Sequence, residues 1–185
     1  MTHRWIVTVL GKDRPGIVAG ATKVLYALGA NLEDSAMTRL AGEFAILLIF
    51  SAPASVTDQR LRQAFDRLKR QQQLSLNLKP LTKLESRAPK ARGIPYLISV
   101  YGADRPGIVY RVSQALAHSR INITDVQTHR SDLKGKRSGS AFYLMLLEVE
   151  LPPGVKVTSL ERTLGQLGRQ LGVEVSMRGV ESHVL

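Results

Sequence analysis

The stretch Gly11-Lys-Asp-Arg-Pro-Gly-Ile-Val18 recurs 91 residues later as Gly102-Ala-Asp-Arg-Pro-Gly-Ile-Val109. Seven of the eight positions are identical, and the same offset pairs Asn31 with Asn122. A matched pair of this length predicts two copies of one domain. We place the first copy at residues 1–80, a linker rich in Pro, Gly and basic residues at 81–94, and the second copy at residues 95–185.

Each copy shows the pattern strand, helix, strand, strand, helix, strand. A β-branched run ends at Gly11, apolar residues then recur at helical spacing from Ile17 to Leu28, and two strand-like segments follow. Asp13 has the residue type and position of an N-cap, and Gly29 those of a left-handed C-terminal cap. After Asn122 we align Phe44 with Phe142, which gives the second copy an insertion of seven residues.

This order of elements predicts an α+β fold, with two ferredoxin-like βαββαβ domains in tandem. The segments Phe44–Phe50 and Phe142–Leu147 are apolar at successive positions, as expected for central strands. An apolar face without helices has to be covered, so we expect the sheets to be paired or packed, or a second subunit to bind, which favours a homo-oligomer.

Composition narrows the class of protein. The chain carries 26 basic and 15 acidic residues, a net charge of +11, which favours encounter with anions. It has no cysteine, which excludes disulfides and a cysteine nucleophile and fits a cytoplasmic location. The longest apolar run is too short to span a membrane, and no signal peptide is recognisable.

The repeated turn has the chemistry of an anion site. Gly11 and Gly16 let the backbone turn tightly, and the first N–H groups of a helix lack intrahelical partners and lie at the positive end of its dipole. Asn31 or Asn122 adds a donor and an acceptor. Such a set could bind the carboxylate and ammonium of an amino acid. The same residues could also serve the fold alone, with Asp13 and Asp104 as helix caps rather than catalytic acids.

The turn, followed by Asn fifteen residues after its second Gly, resembles the ACT domain, a module that senses small molecules. Two tandem copies resemble the group of glycine cleavage system transcriptional repressors. The resemblance implies a ligand at the seam between modules, near the first strand–helix loop and the start of the second strand. By motif position it implies these ligand-binding residues: Asp13, Gly16, Ile17, Asn31, Asp104, Gly107, Ile108 and Asn122. Arg120 stands where the family commonly has Gly, so the two sites are expected to differ.

Other sequence motifs give no indication of catalysis or metal binding. Gly11 and Gly16 have P-loop spacing, but Ile17-Val18 replaces the required Lys-Ser/Thr. The four histidines are scattered without metal-ligand spacing. We therefore predict no catalytic residue, no metal site and no cofactor. The basic loop Arg130–Gly139 and the basic residues of the second helix are interpreted as solvated surfaces or as docking surfaces for an acidic partner.

The leading hypothesis is a non-catalytic regulatory protein that senses a small ligand, an amino acid with glycine as one candidate, and acts through a protein partner such as a transcription activator. A ligand-free interaction scaffold, a basic nucleic-acid-binding module, and an enzyme or the detached regulatory part of one remain as alternatives. Among these, formyltetrahydrofolate deformylases carry similar turns ahead of a catalytic domain. Direct nucleic-acid binding is disfavoured, because no recognised binding motif is present and aromatic residues make up only 5% of the chain.

Overall fold

The computed structural model describes residues 2–82, 93–131 and 141–180. The chain divides into two compact units between residues 88 and 89, a point inside the predicted linker. Residues 83–92 lie outside the described ranges, so the linker itself stays a prediction. The basic loop at 132–140 lies outside them as well.

The first unit has the predicted order of elements. Strand β1 (Thr2–Lys12) leads to helix α1 (Ile17–Ala27), and strands β2 (Asn31–Leu40) and β3 (Glu43–Pro53) follow. Helix α2 (Asp58–Gln72) and strand β4 (Ser75–Pro80) complete the unit.

The second unit repeats this order. Strand β5 (Ile94–Ala103), helix α3 (Ile108–His118) and strand β6 (Asn122–Ser131) come first. Strand β7 (Phe142–Leu151), helix α4 (Val157–Leu171) and strand β8 (Val173–Gly179) follow. The α+β ferredoxin-like class is therefore confirmed in both units.

The sheets are antiparallel, with strand orders β2-β3-β1-β4 and β6-β7-β5-β8. The first and third strands of each unit are central, as predicted from their apolar sequences. Alternate residues of β3 are buried under the helices, namely Phe44, Ile46, Leu48, Phe50 and Ala52. The two helices of a unit thus cover one face of its sheet, and each core is built from residues of its own unit.

The register corrects one part of the sequence alignment. Gly11 lies opposite Phe44, whereas its counterpart Gly102 lies opposite Tyr143. Phe44 therefore corresponds to Tyr143 and not to Phe142, and the second copy gains eight residues rather than seven. The slip of one residue arose because β3 and β7 are apolar on both faces, so no alternation of polar and apolar residues marks which face is buried.

Helix ends follow the predicted glycines. Gly29 has φ +63°, and the N–H groups of Gly29 and Ala30 donate to the carbonyls of Tyr26 and Leu25, which is a Schellman cap. The same two hydrogen bonds close α3, although Arg120 with φ +56° occupies the glycine position. The loop is thus conserved in shape between the copies despite the change of residue. In the described part of the chain no helix is long and apolar enough to cross a membrane.

Candidate functional site

The repeated turn leaves the start of α1 uncapped by any side chain. Gly16, and not Asp13, is the N-cap, with φ +96° in the left-handed region that favours glycine. The first intrahelical bond runs from the Gly20 N–H to the Gly16 carbonyl at 2.8 Å. Within the described residues, the N–H groups of Ile17 to Ala19 have no hydrogen-bond partner, and a Cβ placed on Gly16 would meet no atom within 4 Å. The first amides of the helix therefore remain available.

The second unit has the same geometry. Gly107 caps α3 with φ +92°, and the Arg111 N–H donates to the Gly107 carbonyl at 2.9 Å. A Cβ on Gly107 would likewise meet nothing within 4 Å. An uncapped start is not peculiar to these turns, because α4 also begins without a side-chain cap, at Lys156. The distinguishing feature is the left-handed glycine reproduced at the same place in both copies.

Asp13 and Asp104 were predicted to be helix caps, and the structure shows otherwise. The Asp13 carboxylate accepts a hydrogen bond from Arg39 on β2 at 3.0 Å, and the Asp13 N–H donates to the Gly42 carbonyl at 2.9 Å. Asp104 repeats both contacts, with Arg130 at 3.2 Å and the Ala141 carbonyl at 3.0 Å. Pro15 and Gly16 move the helix start three residues beyond Asp13, so its side chain ties the turn to the neighbouring hairpin instead.

The arginine of the motif is also structural. Arg14 donates to the backbone carbonyl of Gln72 in the last turn of α2. In the second unit the Arg105 guanidinium packs beside Gly172, the C-cap of α4. A cation at the negative end of a helix dipole is stabilising. The Asp-Arg pair thus fixes the turn, and only its glycine and amides are left to meet a ligand.

Ile17 and Ile108 offer a ligand only their main chain. Both side chains are among the most buried in their units, at 1% and 2% exposure. Each packs in the core beneath its helix. Only the backbone N–H groups of these two residues could therefore contact a ligand.

No single unit brings Asn31 or Asn122 to its own turn. Asn31 lies opposite Ser51 on β3, whereas the turn lies beside Glu43, eight residues along the same strand. At about 3.3 Å per residue this separation is about 26 Å. Asn122 and its turn are separated in the same way along β7, from Glu150 to Phe142. A site that contains both an uncapped turn and an asparagine would have to draw on two modules, and this stays a prediction.

Sequence reasoning missed two polar residues beside the second turn, Tyr143 and Thr128. Tyr143 on β7 is 9% exposed, and its hydroxyl is buried without a well-aligned hydrogen bond in the described part of the chain. Burial raises the pKa of this hydroxyl, and the charge of Asp104 raises it further. Hydrogen bonding with the side chain of Thr128 lowers the same pKa. The first unit has Phe44 and Met37 at the corresponding positions. The correct alignment of Phe44 with Tyr143 would have revealed this difference.

Three hollows on the described surface lie away from the repeated turns. The largest, about 710 Å³, lies between α1 and α2. Two smaller ones, about 380 Å³ and 370 Å³, lie around Gly154 at the start of α4. Within the described ranges no group of three or more metal-binding side chains occurs.

Comparison with known proteins identifies the family. The sequence profile of the ACT domain matches residues 3–79 and 95–178, which is most of the chain. This chain belongs to the ACT domain family. The two matched segments coincide with the two structural units, so the tandem arrangement predicted from the repeated turn is confirmed.

Relatives match this chain over nearly its whole length or over about a third of it. The glycine cleavage system transcriptional repressor of Escherichia coli is 23% identical over 178 residues, which cover 96% of this chain and 90% of that protein. A UPF0237 protein of Methanopyrus kandleri is 46% identical over 61 residues, covering 32% of this chain and 68% of that protein. A solved structure of a Galdieria sulphuraria protein superposes with a TM-score of 0.82 at 24% identity, over 97% of this chain and 99% of the other. This last likeness concerns the fold.

Proposed function

We propose that this tandem ACT protein is a non-catalytic regulator that senses an amino acid and controls transcription of glycine or amino-acid metabolism through a protein partner. Membership of the ACT family and similarity to a glycine cleavage system transcriptional repressor support a regulatory, ligand-sensing role. The observation that carries the proposal is the pair of left-handed glycines, Gly16 and Gly107, each open to solvent at its Cβ position and each followed by helical amides without a side-chain cap.

The ligand chemistry follows from these groups. Free N–H groups at a helix start favour a carboxylate, and the dipole contributes about 0.3–1 kcal/mol at an exposed site. Asn31 or Asn122 from a second module would supply the hydrogen bonds that select an amino acid. The ligand can shift the equilibrium between two conformations of the protein only by the difference between its binding free energies for the two.

The two copies are not expected to bind equally. Tyr143 and Thr128 give the second turn polar groups where the first has Phe44 and Met37. A buried hydroxyl without a well-aligned hydrogen bond is costly, and such exceptions call for an explanation. We take the second turn as the better candidate for a polar ligand.

Calorimetry on the full chain with glycine, serine and alanine at millimolar concentration tests the proposal. We expect saturable heat for at least one of them, weakened about tenfold or more in the double variant Asn31→Ala/Asn122→Ala because one hydrogen bond to a charged ligand contributes about 1.5–3 kcal/mol. Asn77→Ala, at an exposed position on β4, is the matched control and should leave the affinity unchanged. Absence of both heat and thermal stabilisation with all common amino acids would contradict sensing.

A ligand-free scaffold is the second candidate, favoured by the exposure of every residue of the edge strand β2. A free edge of ten residues is a template for pairing with another chain, including a second copy of this one. If this candidate is right, Asn31→Ala and Asn122→Ala will leave partner binding and self-association unchanged.

A further inference from the structure

A groove of about 710 Å³ lies between α1 and α2 in the first unit. Half of the residues that line it are small or apolar, and three glutamines line it as well. The small and apolar residues include Gly20, Val24, Leu28, Ala64 and Leu68. Gly20 matters because a Cβ there would lie 2.7 Å from the Gln72 amide nitrogen and 2.9 Å from a Leu68 methyl carbon. Any side chain at this position would therefore enter the space where the two helices meet.

The charged residues that line the groove all have the same sign. Lys23 on α1 and Arg60 and Arg67 on α2 are exposed along it, and no acidic residue lines it. Arg62, on the same helix, is instead paired with Asp58 at 2.8 Å. The basic face of α2 predicted from the sequence is thus divided, and part of it borders a partly apolar groove.

The second unit differs at the corresponding place. Arg111 occupies the position of Gly20, and its guanidinium donates to the Gln170 side chain on α4 at 2.8 Å, spanning the two helices. The cations are also missing, because Gln114, Ser159 and Gln166 stand in place of Lys23, Arg60 and Arg67. Two copies of one fold therefore differ in both the shape and the charge of this face.

We infer that the α1–α2 groove is the docking site for an acidic amphipathic helix of a protein partner. A partly apolar groove bordered by cations complements a helix with an apolar stripe flanked by carboxylates. Helices α1 and α2, with 11 and 15 residues, are about 16 and 22 Å long, which matches three to four turns of a docked helix. This inference deepens the proposed function, on which it rests for the existence of a protein partner.

A synthetic peptide tests the groove directly. It is a fluorescent amphipathic helix of about 18 residues with Leu at every third or fourth position and Glu on both sides of that stripe. We expect saturable binding to the full-length protein by fluorescence anisotropy at about 0.15 M salt, where surface charges are screened beyond about 8 Å. A second peptide with Gln in place of Glu should bind at least about tenfold more weakly, since each rim contact would lose its charge.

Two variants and their controls locate the binding. Gly20→Arg copies the residue of the second unit and should fill the groove, and Arg67→Glu should repel the peptide, each weakening binding about tenfold or more. Arg70→Glu, on the same helix but outside the groove, makes the same change of net charge and should change binding less than about twofold. Circular dichroism of each variant checks that it is folded, and Arg67→Glu keeps the test valid if Gly20→Arg unfolds.

Several results would overturn the inference. They are no saturable binding of the Glu peptide, equal binding of the Gln peptide, or equal loss in Arg67→Glu and Arg70→Glu. Binding of a DNA duplex that displaces the peptide and has a steep salt dependence would assign the surface to nucleic acid instead. Amino-acid calorimetry on the same samples separates the two proposals, because peptide binding without amino-acid heat supports the groove and contradicts sensing.

Discussion

Tyr143 differs from its counterpart in the first unit by a buried hydroxyl. It stands in the core where the first unit has Phe44, so its ring fills an apolar site while its hydroxyl is buried near Asp104. The core would tolerate phenylalanine at this position, as the first unit shows. The hydroxyl is therefore not needed for packing, and its presence is consistent with a role at the second turn.

The titration of Tyr143 gives a testable pH dependence. Burial, with a smaller effect of Asp104, raises the pKa of the folded hydroxyl above the ordinary 10.0, so the unfolded chain loses this proton first. The contribution to the free energy of unfolding is fully present below pH 10 and decreases as the pH rises from there through the folded pKa. We expect the stability of Tyr143→Phe, from urea unfolding at stepped pH values, to fall less steeply above pH 10.

Tyr26→Phe is the control for that series, because Tyr26 is 86% exposed on α1. It should follow the wild-type curve over the same range. If the stability of the wild type and of Tyr143→Phe falls equally steeply above pH 10, the surroundings of the Tyr143 hydroxyl do not raise its pKa.

The end of helix α3 shows how a structural element can override a residue preference. Arg120 adopts φ +56°, a conformation that costs about 1–2 kcal/mol for residues other than glycine, because two cap hydrogen bonds require it. Its side chain is exposed, and the equivalent Gly29 adopts the same conformation without strain. The second unit thus keeps a strained cap that the first does not.

Replacing Arg120 by Gly should stabilise the second unit by about 0.5–1 kcal/mol, the relief of strain less the added freedom of glycine in the unfolded chain. The midpoint of urea unfolding measures this gain. Arg120→Ala removes the side chain but keeps the strain, so it should have little effect. A loss of stability in Arg120→Gly would show that the arginine side chain stabilises the fold by contacts of its own.

The sequence predicted most elements because their patterns repeat in both copies. Apolar stripes located α1 and α4, and the glycine-led turns located the ends of β1 and β5. What it missed depended on contacts between distant segments. Asp13 was predicted to be an N-cap because the sequence does not show that Arg39 and Gly42 are its neighbours. The one-residue error in the alignment of Phe44 could be corrected only from the strand register. The separation of Asn31 from its turn follows from the topology and not from the distance in sequence.

At the scale of the whole molecule, the two units are alike in fold and unlike in the residues around their helices and turns. The first carries the open basic groove, and the second carries the polar residues beside its turn. Each has its own sheet and its own core. We therefore propose partner docking for the first unit and ligand binding for the second.

The topology makes a last prediction about the fragments 1–82 and 93–185. Because each core cluster is drawn from one unit only, each fragment should fold alone and unfold cooperatively, as followed by circular dichroism. Because about 26 Å separates each turn from the asparagine of its own sheet, neither fragment, kept monomeric by dilution, should give the amino-acid heat of the full chain. Mixing the fragments at high concentration is the control, since it offers each turn a second module. Full-length affinity in monomeric 93–185 would show that the ligand needs only one unit and that the asparagines play no part in binding it.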